Sequence, residues 1–216
     1  MWMPLAGRME SGSRAVDLLV SQNSQEAMTI CDAIDVNNDH RRKKDSEITA
    51  EALRMVSDDI RSGNARTTVL FHRGWHKGVI GIVASRLIET YYRPTVILTE
   101  SKDGYATGSA RSVPGYDLYQ AIEYCSDLLE SFGGHMFAAG LTLKQENLQE
   151  FRERFEQYVS ETIRDEHLVP SVNIDEEIPL EEVTMEFCRH LEKFQPFGPE
   201  NTAPVFVSRR VKTLSC

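Results

Sequence analysis

Apolar side chains recur at helical spacing over residues 23–62, and this pattern predicts one long helix. Ser24 is suited to cap its start and Gly63 to follow its end. An apolar stripe before Asp35 and another after Glu47 enclose a stretch that is almost wholly polar. Such a stretch is typical of a helix that bridges two packed bodies through solvent. We therefore expect a connector helix in a larger protein, with a partner outside this chain for the first stripe.

After the long helix, short β-rich runs alternate with amphipathic helical patterns. Strands are predicted over residues 67–72, 94–99, 105–111 and 138–143, and helices over residues 76–91, 117–131 and 147–166. This alternation predicts a layered α/β domain. Beyond Pro170, strands are predicted over residues 171–178 and 203–211, and a helix over residues 184–193. This last part is too short for a complete barrel or sandwich, so we interpret it as the beginning of a small β domain.

The composition is that of a globular protein. Of the 216 residues, 41% are hydrophobic and 26% are charged, no apolar run reaches membrane-spanning length, and the N-terminus lacks a signal-peptide pattern. The four cysteines form no Cys-x-x-Cys pair, which indicates neither a zinc site nor a redox motif and favours a reducing cytoplasm. The formal net charge of −9 argues against a protein that coats polyanions, but it leaves room for a local positive cleft.

The run of residues 133–140, which begins with Gly133-Gly134-His135 and ends at Gly140, carries the first candidate chemistry. It lies between a predicted helix and a predicted strand, where paired glycines allow a tight turn. Glycines also leave backbone N–H groups uncovered, and such groups can bind a phosphate. His135 adds a hydrogen-bond donor or a titratable group at the same point.

A second run, residues 108–112, combines small residues with polar ones. Ser109 and Ser112 provide hydroxyl groups, and Arg111 provides a guanidinium suited to bidentate contact with a phosphate. Each run by itself is typical of a tight turn. Together the two runs predict a phosphate-recognising cleft.

Other polar features are weaker. His76 and Lys77 lie near a predicted helix start, which favours anions, although a close-packed strand–helix junction with a solvated lysine fits as well. The basic run of residues 41–44 could contact nucleic acid, but it is flanked by acidic residues, and such a run is more often a solvated helix face with local ion pairs. Arg8 lies in a loop bounded by glycines. No carboxylate cluster with metal-ligand spacing accompanies His76 and His135, so we expect no metal to be held by this chain alone.

Longer motifs then indicate a family. They are AGRMESG (6–12), AVDLL (15–19), NNDHRRKKDSEI (37–48), GWHKGVIGIVASRL (74–87), YYRPTVIL (91–98), GSARSVPGYDL (108–118), CSDLLESFGGHMFAAGLTL (125–143) and FQPFGPENTAPVF (194–206). In this order the chain resembles the C-terminal portion of RecJ-type single-strand-specific DNA exonucleases, within the DHH phosphoesterase superfamily. The resemblance covers nearly the whole chain.

The resemblance implies a division of labour. In that family an N-terminal DHH domain binds two divalent metal ions, Mn²⁺ or Mg²⁺, which activate water for attack on a phosphodiester. A long helix leads to a DHH-associated domain, in which helices flank a mixed sheet, and an OB-type barrel that binds single-stranded DNA follows. For this chain the resemblance implies a connector segment (residues 1–63), a DHH-associated domain (64–168) and an incomplete OB-like segment (169–216). The metal-binding DHH domain is missing.

Site residues follow from the same resemblance. Substrate-holding roles are implied for Arg8, His76, Ser109, Arg111, Gly133, Gly134 and His135, to which we add the neighbouring Ser112. No metal ligand is implied. The expected function is that of a fragment of a 5′-to-3′ single-stranded-DNA exonuclease of repair and recombination, which holds the DNA backbone and is inactive alone.

Two alternatives stay open at this point. One is a stand-alone nucleic-acid-binding module. The other is the substrate domain of a DHH phosphodiesterase that acts on oligonucleotides or cyclic dinucleotides. The FQPFGPENTAPVF run (194–206) favours the exonuclease, since it implies the start of a barrel that the small-substrate members lack.

Overall fold

A five-stranded mixed sheet lies at the centre of the larger part of the protein. The structure is a computed structural model that describes residues 12–60 and 65–212. The strands are β1 (Thr68–Phe71), β2 (Thr95–Glu100), β3 (Tyr105–Arg111), β4 (Leu129–His135) and β5 (Ala138–Lys144). Their order across the sheet is β1-β2-β3-β5-β4, with β1 and β2 parallel and the other neighbours antiparallel. Together with its helices, this sheet confirms the predicted α/β class.

The larger part of the protein also contains α-helices. They are α1 (Ser13–Val20), α2 (Ser24–Ile60), α3 (Ile80–Tyr91), α4 (Leu118–Tyr124) and α5 (Leu148–Thr162). The chain divides into two compact units, Met1–Val169 and Pro170–Cys216. Within the described part of the chain, no helix combines the length and the apolar character needed to cross a membrane. The three-part domain division given above stays a prediction.

One face of the sheet is covered by α4 and α5. Along β3 the even-numbered residues are buried on this face, because successive side chains of a strand alternate between the two faces. Phe151 and Phe155 of α5 are fully buried there. Gly108 makes this packing possible, since a Cβ at that position would lie 2.8 Å from Leu98 Cδ2. This layer is the main hydrophobic core.

The opposite face is covered over β1 and β2 by α3 and the second half of α2. Val83 and Leu87 of α3 pack with Ala52 and Val56 of α2, and Ile97 of β2 lies beneath them. The apolar stripe predicted for each of these helices therefore faces the sheet. This second core contains residues of β1 and β2 but none of β4 or β5.

The polar middle of α2 is buried along one side, so the prediction of a helix exposed all round is wrong there. Asn38, Arg41 and Asp45 continue the buried stripe at helical spacing. Asp45 is 1% exposed and accepts a hydrogen bond of 2.8 Å from Arg86 Nη2 of α3. Its Oδ2 also lies 3.8 Å from Arg41 Nη1. An ion-pair cluster thus joins the middle of α2 to α3.

The beginning of α2 also differs from the prediction. Asn23, and not Ser24, caps the helix, because its Oδ1 accepts a hydrogen bond of 2.9 Å from the Gln25 N–H. Ile30 and Ile34 pack with Ala15 of α1. The expectation of a partner outside the chain is therefore wrong for these two residues. The predicted stop at position 63 lies outside the described residues.

Two further helix boundaries differ from those predicted. Residues 76–79 form a turn, and α3 begins only at Ile80. The low helix propensity of Gly78 opposes an earlier start of the helix. The helix predicted over 117–131 ends at Tyr124, and the chain enters β4 at Leu129. The chain forms a strand here because β4 pairs with β5. This long-range pairing cannot be predicted from the spacing of apolar residues along the chain.

The second unit holds short elements. Strands β6 (Glu176–Glu177) and β7 (Phe206–Val207) pair in parallel, and helix α6 (Met185–Glu192) lies between them in sequence. Thr184 caps α6 by accepting a hydrogen bond of 3.1 Å from the Phe187 N–H. The strands predicted over residues 171–178 and 203–211 are much longer than those observed.

Candidate nucleic-acid interface

The sheet face that α2 and α3 cover in part is open over β5 and β4. The strand register places three rows of paired residues across β3, β5 and β4 on this face. The rows are Thr107–Thr142–Ser131, Ser109–Gly140–Gly133 and Arg111–Ala138–His135. Among the described residues, a Cβ at Gly133 would meet no atom within 4 Å, and one at Gly140 would meet only the Gly108 carbonyl oxygen, at 4.0 Å. The face is therefore polar and accessible to the backbone of a ligand.

Arg111 provides the positive charge at one end of this face. Its Nη1 donates hydrogen bonds to Ser109 Oγ (2.9 Å) and to the Ala110 carbonyl oxygen (2.8 Å). Both side chains are half-buried at the edge of the open area. These two bonds fix the plane of the guanidinium, which prepares the group for directional contact with an anion.

The Gly133-Gly134 pair lies in β4 and does not form the predicted turn. The turn consists of Met136 and Phe137, and β4 continues up to it because it pairs with β5. The turn is also held from outside the hairpin, since Ser112 N–H donates to the Phe137 carbonyl oxygen at 3.0 Å. The glycines are therefore part of a strand surface.

Glycine is present at positions 133 and 134 for two different structural reasons. Gly133 faces open space. Gly134 has a φ of +155°, and a Cβ there would collide with the Ala138 carbonyl oxygen and lie 2.6 Å from Ala139 Cα. Glycine is needed at Gly134 by the hairpin itself. A close approach of a ligand is a reason for glycine only at Gly133.

His135 lies at the end of β4 with an exposed ring. Its Nδ1 accepts a hydrogen bond of 3.2 Å from the Phe137 N–H. In the neutral ring the proton is then on Nε2, so the group that points away from the backbone is an N–H donor. A donor of this kind suits a phosphate oxygen.

His76 lies in the turn before α3 and has the same arrangement, with Nδ1 accepting a hydrogen bond of 3.1 Å from the Gly78 N–H. Burial lowers the pKa of His76, and the positive charges of Lys44 and Lys77 lower it further. His76 is thus neutral at pH 7, and Lys44 of α2 belongs to its electrostatic surroundings. The start of α3 meets the open face at Gly81, where a Cβ would lie 2.9 Å from Arg111 Nη2.

Ser112 is a predicted site residue whose hydroxyl contacts the backbone of the protein itself. The Ser112 hydroxyl lies 2.7 Å from the Tyr116 carbonyl oxygen and 3.1 Å from that of Val113, to which it can donate. Its contacts hold the loop that follows β3, and its role toward a substrate stays a prediction. Arg8 lies outside the described residues.

The structure gives a place at the site to three residues that lie in motifs quoted above but were not among the predicted site residues. Gly140 lies between Ser109 and Gly133 in the middle row of the open face. Gly81 contacts the arginine side chain, and Lys44 acts on His76 through its charge. A glycine inside a predicted strand is a recognisable signal of close backbone approach, so Gly140 could have been found from the sequence.

No group of three or more His, Cys, Asp or Glu side chains within residues 12–60 and 65–212 is placed to hold a metal ion. The described side chains therefore do not fit the divalent ions implied by the family resemblance. On the open face they offer hydrogen-bond donors and the Arg111 guanidinium, which suit the binding of an anion.

The fold and the site define an α/β domain with an open, polar sheet face. The chain belongs to the DHHA1 domain family, whose model matches residues 44–161, more than half of its length. A second family model, that of the RecJ OB domain, matches residues 174–216.

Proteins similar to this chain include the single-stranded-DNA-specific exonucleases RecJ of Bacillus subtilis and Salmonella typhimurium. The first is 38% identical over 92% of this chain and 25% of its own length, and the second is 33% identical over 94% of this chain and 36% of its own length. The crystal structure of RecJ from Thermus thermophilus in complex with Mn²⁺ is similar with a TM-score of 0.83 and 26% identity, over 95% of this chain and 30% of that one. This chain thus spans about a quarter to a third of the length of these proteins.

Proposed function

We propose that this chain holds the backbone of single-stranded DNA for a RecJ-like exonuclease. The observation that carries the proposal is that the fold brings Ser109, Arg111, Gly133 and His135 onto one open sheet face. They come from two strands, β3 and β4, that lie in separate parts of the sequence and on either side of β5 in the sheet. The similarity to single-stranded-DNA-specific exonucleases supports DNA as the ligand.

Each group on the face has a distinct task in this proposal. Arg111 contacts a phosphate by charge and by directional hydrogen bonds, and His135 donates from Nε2. Gly133 and Gly140 let the sugar–phosphate chain approach the strands closely. None of these contacts reads a base edge, so binding should be independent of sequence.

The metal ions belong to another part of the enzyme in this proposal. Thermus thermophilus RecJ is known with Mn²⁺ and with Mg²⁺, and bound metal ions of this kind generate the hydrolytic nucleophile. We propose that a DHH domain supplies them, and that this chain supplies substrate binding. The second unit, which matches the RecJ OB domain, would extend the DNA contact. We further propose a cytoplasmic setting and a role in repair and recombination.

The purified 216-residue chain is expected to bind single-stranded DNA weakly at low salt and not to cleave it. The physical reason is that the described side chains offer donors for a phosphate but no cluster of metal ligands. Incubation with end-labelled DNA and Mn²⁺ tests this, with an EDTA-treated sample as the control. A metal-dependent release of mononucleotides that persists through a second purification would contradict the prediction.

Arg111→Ala is expected to weaken DNA binding to the same degree for every base sequence. Loss of one phosphate contact should lower the slope of log K against log salt concentration by about 0.7 for single-stranded DNA. Fluorescence anisotropy at four or more salt concentrations gives the slope. Arg152→Ala is the matched control, because Arg152 lies on α5 at the opposite layer. Equal slopes for the parent chain and Arg111→Ala would exclude the phosphate contact.

A further inference from the structure

Gly81 lies in the first turn of α3, where glycine lowers helix stability relative to alanine. Its neighbours Val79, Ile80 and Val83 are buried in the core between α2 and α3, whereas Gly81 itself is only half-buried. Neither helix formation nor this core therefore accounts for a residue without a side chain. The reason must lie in what stands opposite Gly81.

The atoms opposite Gly81 belong to the proposed DNA-binding residues. A Cβ at Gly81 would lie 2.9 Å from Arg111 Nη2, 3.0 Å from Ser109 Oγ and 3.6 Å from Ser109 Cβ. The guanidinium and the hydroxyl thus occupy the space that a methyl group would fill. The guanidinium is itself held by hydrogen bonds from Nη1 to Ser109 Oγ and the Ala110 carbonyl oxygen.

We propose that Gly81 is a positioning residue for Arg111. Because Gly81 has no side chain, the guanidinium lies against the start of α3 with its plane fixed, and its charge is presented at the edge of the open sheet face. This inference rests on the proposed function, in which Arg111 contacts a backbone phosphate. It assigns to the helix a part in DNA binding without any contact between Gly81 and DNA.

Gly81→Ala should separate positioning from folding. The nearest atom to the new methyl group is the end of a long, flexible side chain, so the guanidinium can move away without strain in the backbone. The melting temperature should stay the same or rise, since alanine favours the helix. The salt slope for single-stranded DNA should fall by up to the amount lost in Arg111→Ala, about 0.7. Glu89→Ala, at an exposed position of the same helix, is the control and should change neither quantity.

The double variant Gly81→Ala/Arg111→Ala tests whether the effect passes through the arginine. If Gly81 acts by positioning Arg111, Gly81→Ala causes no further loss of affinity in the Arg111→Ala background. The effects of the two substitutions are then strongly non-additive. An equal loss of affinity from Gly81→Ala in both backgrounds would overturn the inference. Full affinity and slope in Gly81→Ala, with reduced values in Arg111→Ala, would overturn it as well.

A measurement without DNA distinguishes failure of this inference from failure of the proposed function. In the free parent chain the Arg111 guanidinium should give side-chain ¹⁵N resonances of a group with restricted rotation. In Gly81→Ala these resonances should shift and sharpen toward those of a freely rotating arginine. Unchanged Arg111 resonances would overturn the positioning role whatever the DNA result. If the resonances change but Arg111→Ala binds DNA like the parent, the positioning role stands and the phosphate contact fails.

Discussion

Gly133→Ala is expected to weaken binding of single-stranded DNA about tenfold without destabilising the fold. A Cβ at Gly133 would have no atom of residues 12–60 or 65–212 within 4 Å. Because glycine in a strand is less stable than alanine by roughly 0.5–1 kcal/mol, the melting temperature should stay the same or rise slightly. The new methyl group would stand on the open face and keep the DNA backbone away from β4. A tenfold loss corresponds to about 1.4 kcal/mol of binding free energy.

Gly134→Ala is the matched comparison, and in this variant we expect the fold itself to be destabilised. Its φ of +155° and the collision of a Cβ with Ala138 and Ala139 mean that the hairpin must shift. Such backbone strain costs on the order of 1–3 kcal/mol, so the melting temperature should fall. Thermal melting and anisotropy with a short oligothymidylate on both variants check the pair. If both variants melt and bind alike, the separate reasons assigned to the two glycines are wrong.

Asp45→Ala is expected to produce the largest loss of folding stability among the polar substitutions considered, about 3 kcal/mol. Asp45 is 1% exposed and joins Arg86 of α3 to Arg41 of α2. Removing one partner of a buried ion pair leaves the other charge buried, and this typically costs roughly 3–5 kcal/mol. We expect the lower end because the Arg86 side chain is 47% exposed and can turn toward water.

The control for Asp45 lies on the same helix. Asp39 pairs with Arg42 at 3.8 Å, and both side chains are largely exposed. Asp39→Ala should therefore change the free energy of unfolding by less than about 1 kcal/mol. Urea denaturation of both variants measures the difference. Equal, small effects of the two substitutions would show that the cluster around Asp45 does not hold α2 against the sheet.

The sequence was sufficient to predict the elements whose side chains follow a single period. Strand β3 was predicted with its observed bounds, because its alternation of small buried and polar residues is local. The amphipathic pattern of α5 gave that helix with a difference of one residue at the start and four at the end. In contrast, residues 129–131 were assigned to a helix, since Leu128 and Leu129 fit its apolar spacing. Their pairing with β5 is a long-range interaction.

The candidate site shows the same limit. Arg111 and His135 could be selected from residue type and from the glycines beside them, and so could the idea of a phosphate ligand. The arrangement could not be derived, because it depends on strand order: β5 lies between β3 and β4, so the two runs meet across Gly140. The predicted cleft formed by two turns is an open strand surface for this reason. Contacts such as that of Gly81 with Arg111 are invisible before the helix is placed on the sheet.

The position of bound DNA on the sheet is the central claim, and amide chemical-shift mapping tests it most directly. The ¹⁵N-labelled 216-residue chain is titrated with a short oligothymidylate at low salt, and the shifted backbone amides are located. The account predicts that the largest shifts fall at Ser109 to Arg111, Gly133 to His135 and Gly140, and that amides near the buried Phe151 and Phe155 of α5 stay unchanged. Binding with shifts confined to α4, α5 or residues 174–212, while the amides of β3, β4 and β5 remain unshifted, would contradict the claim.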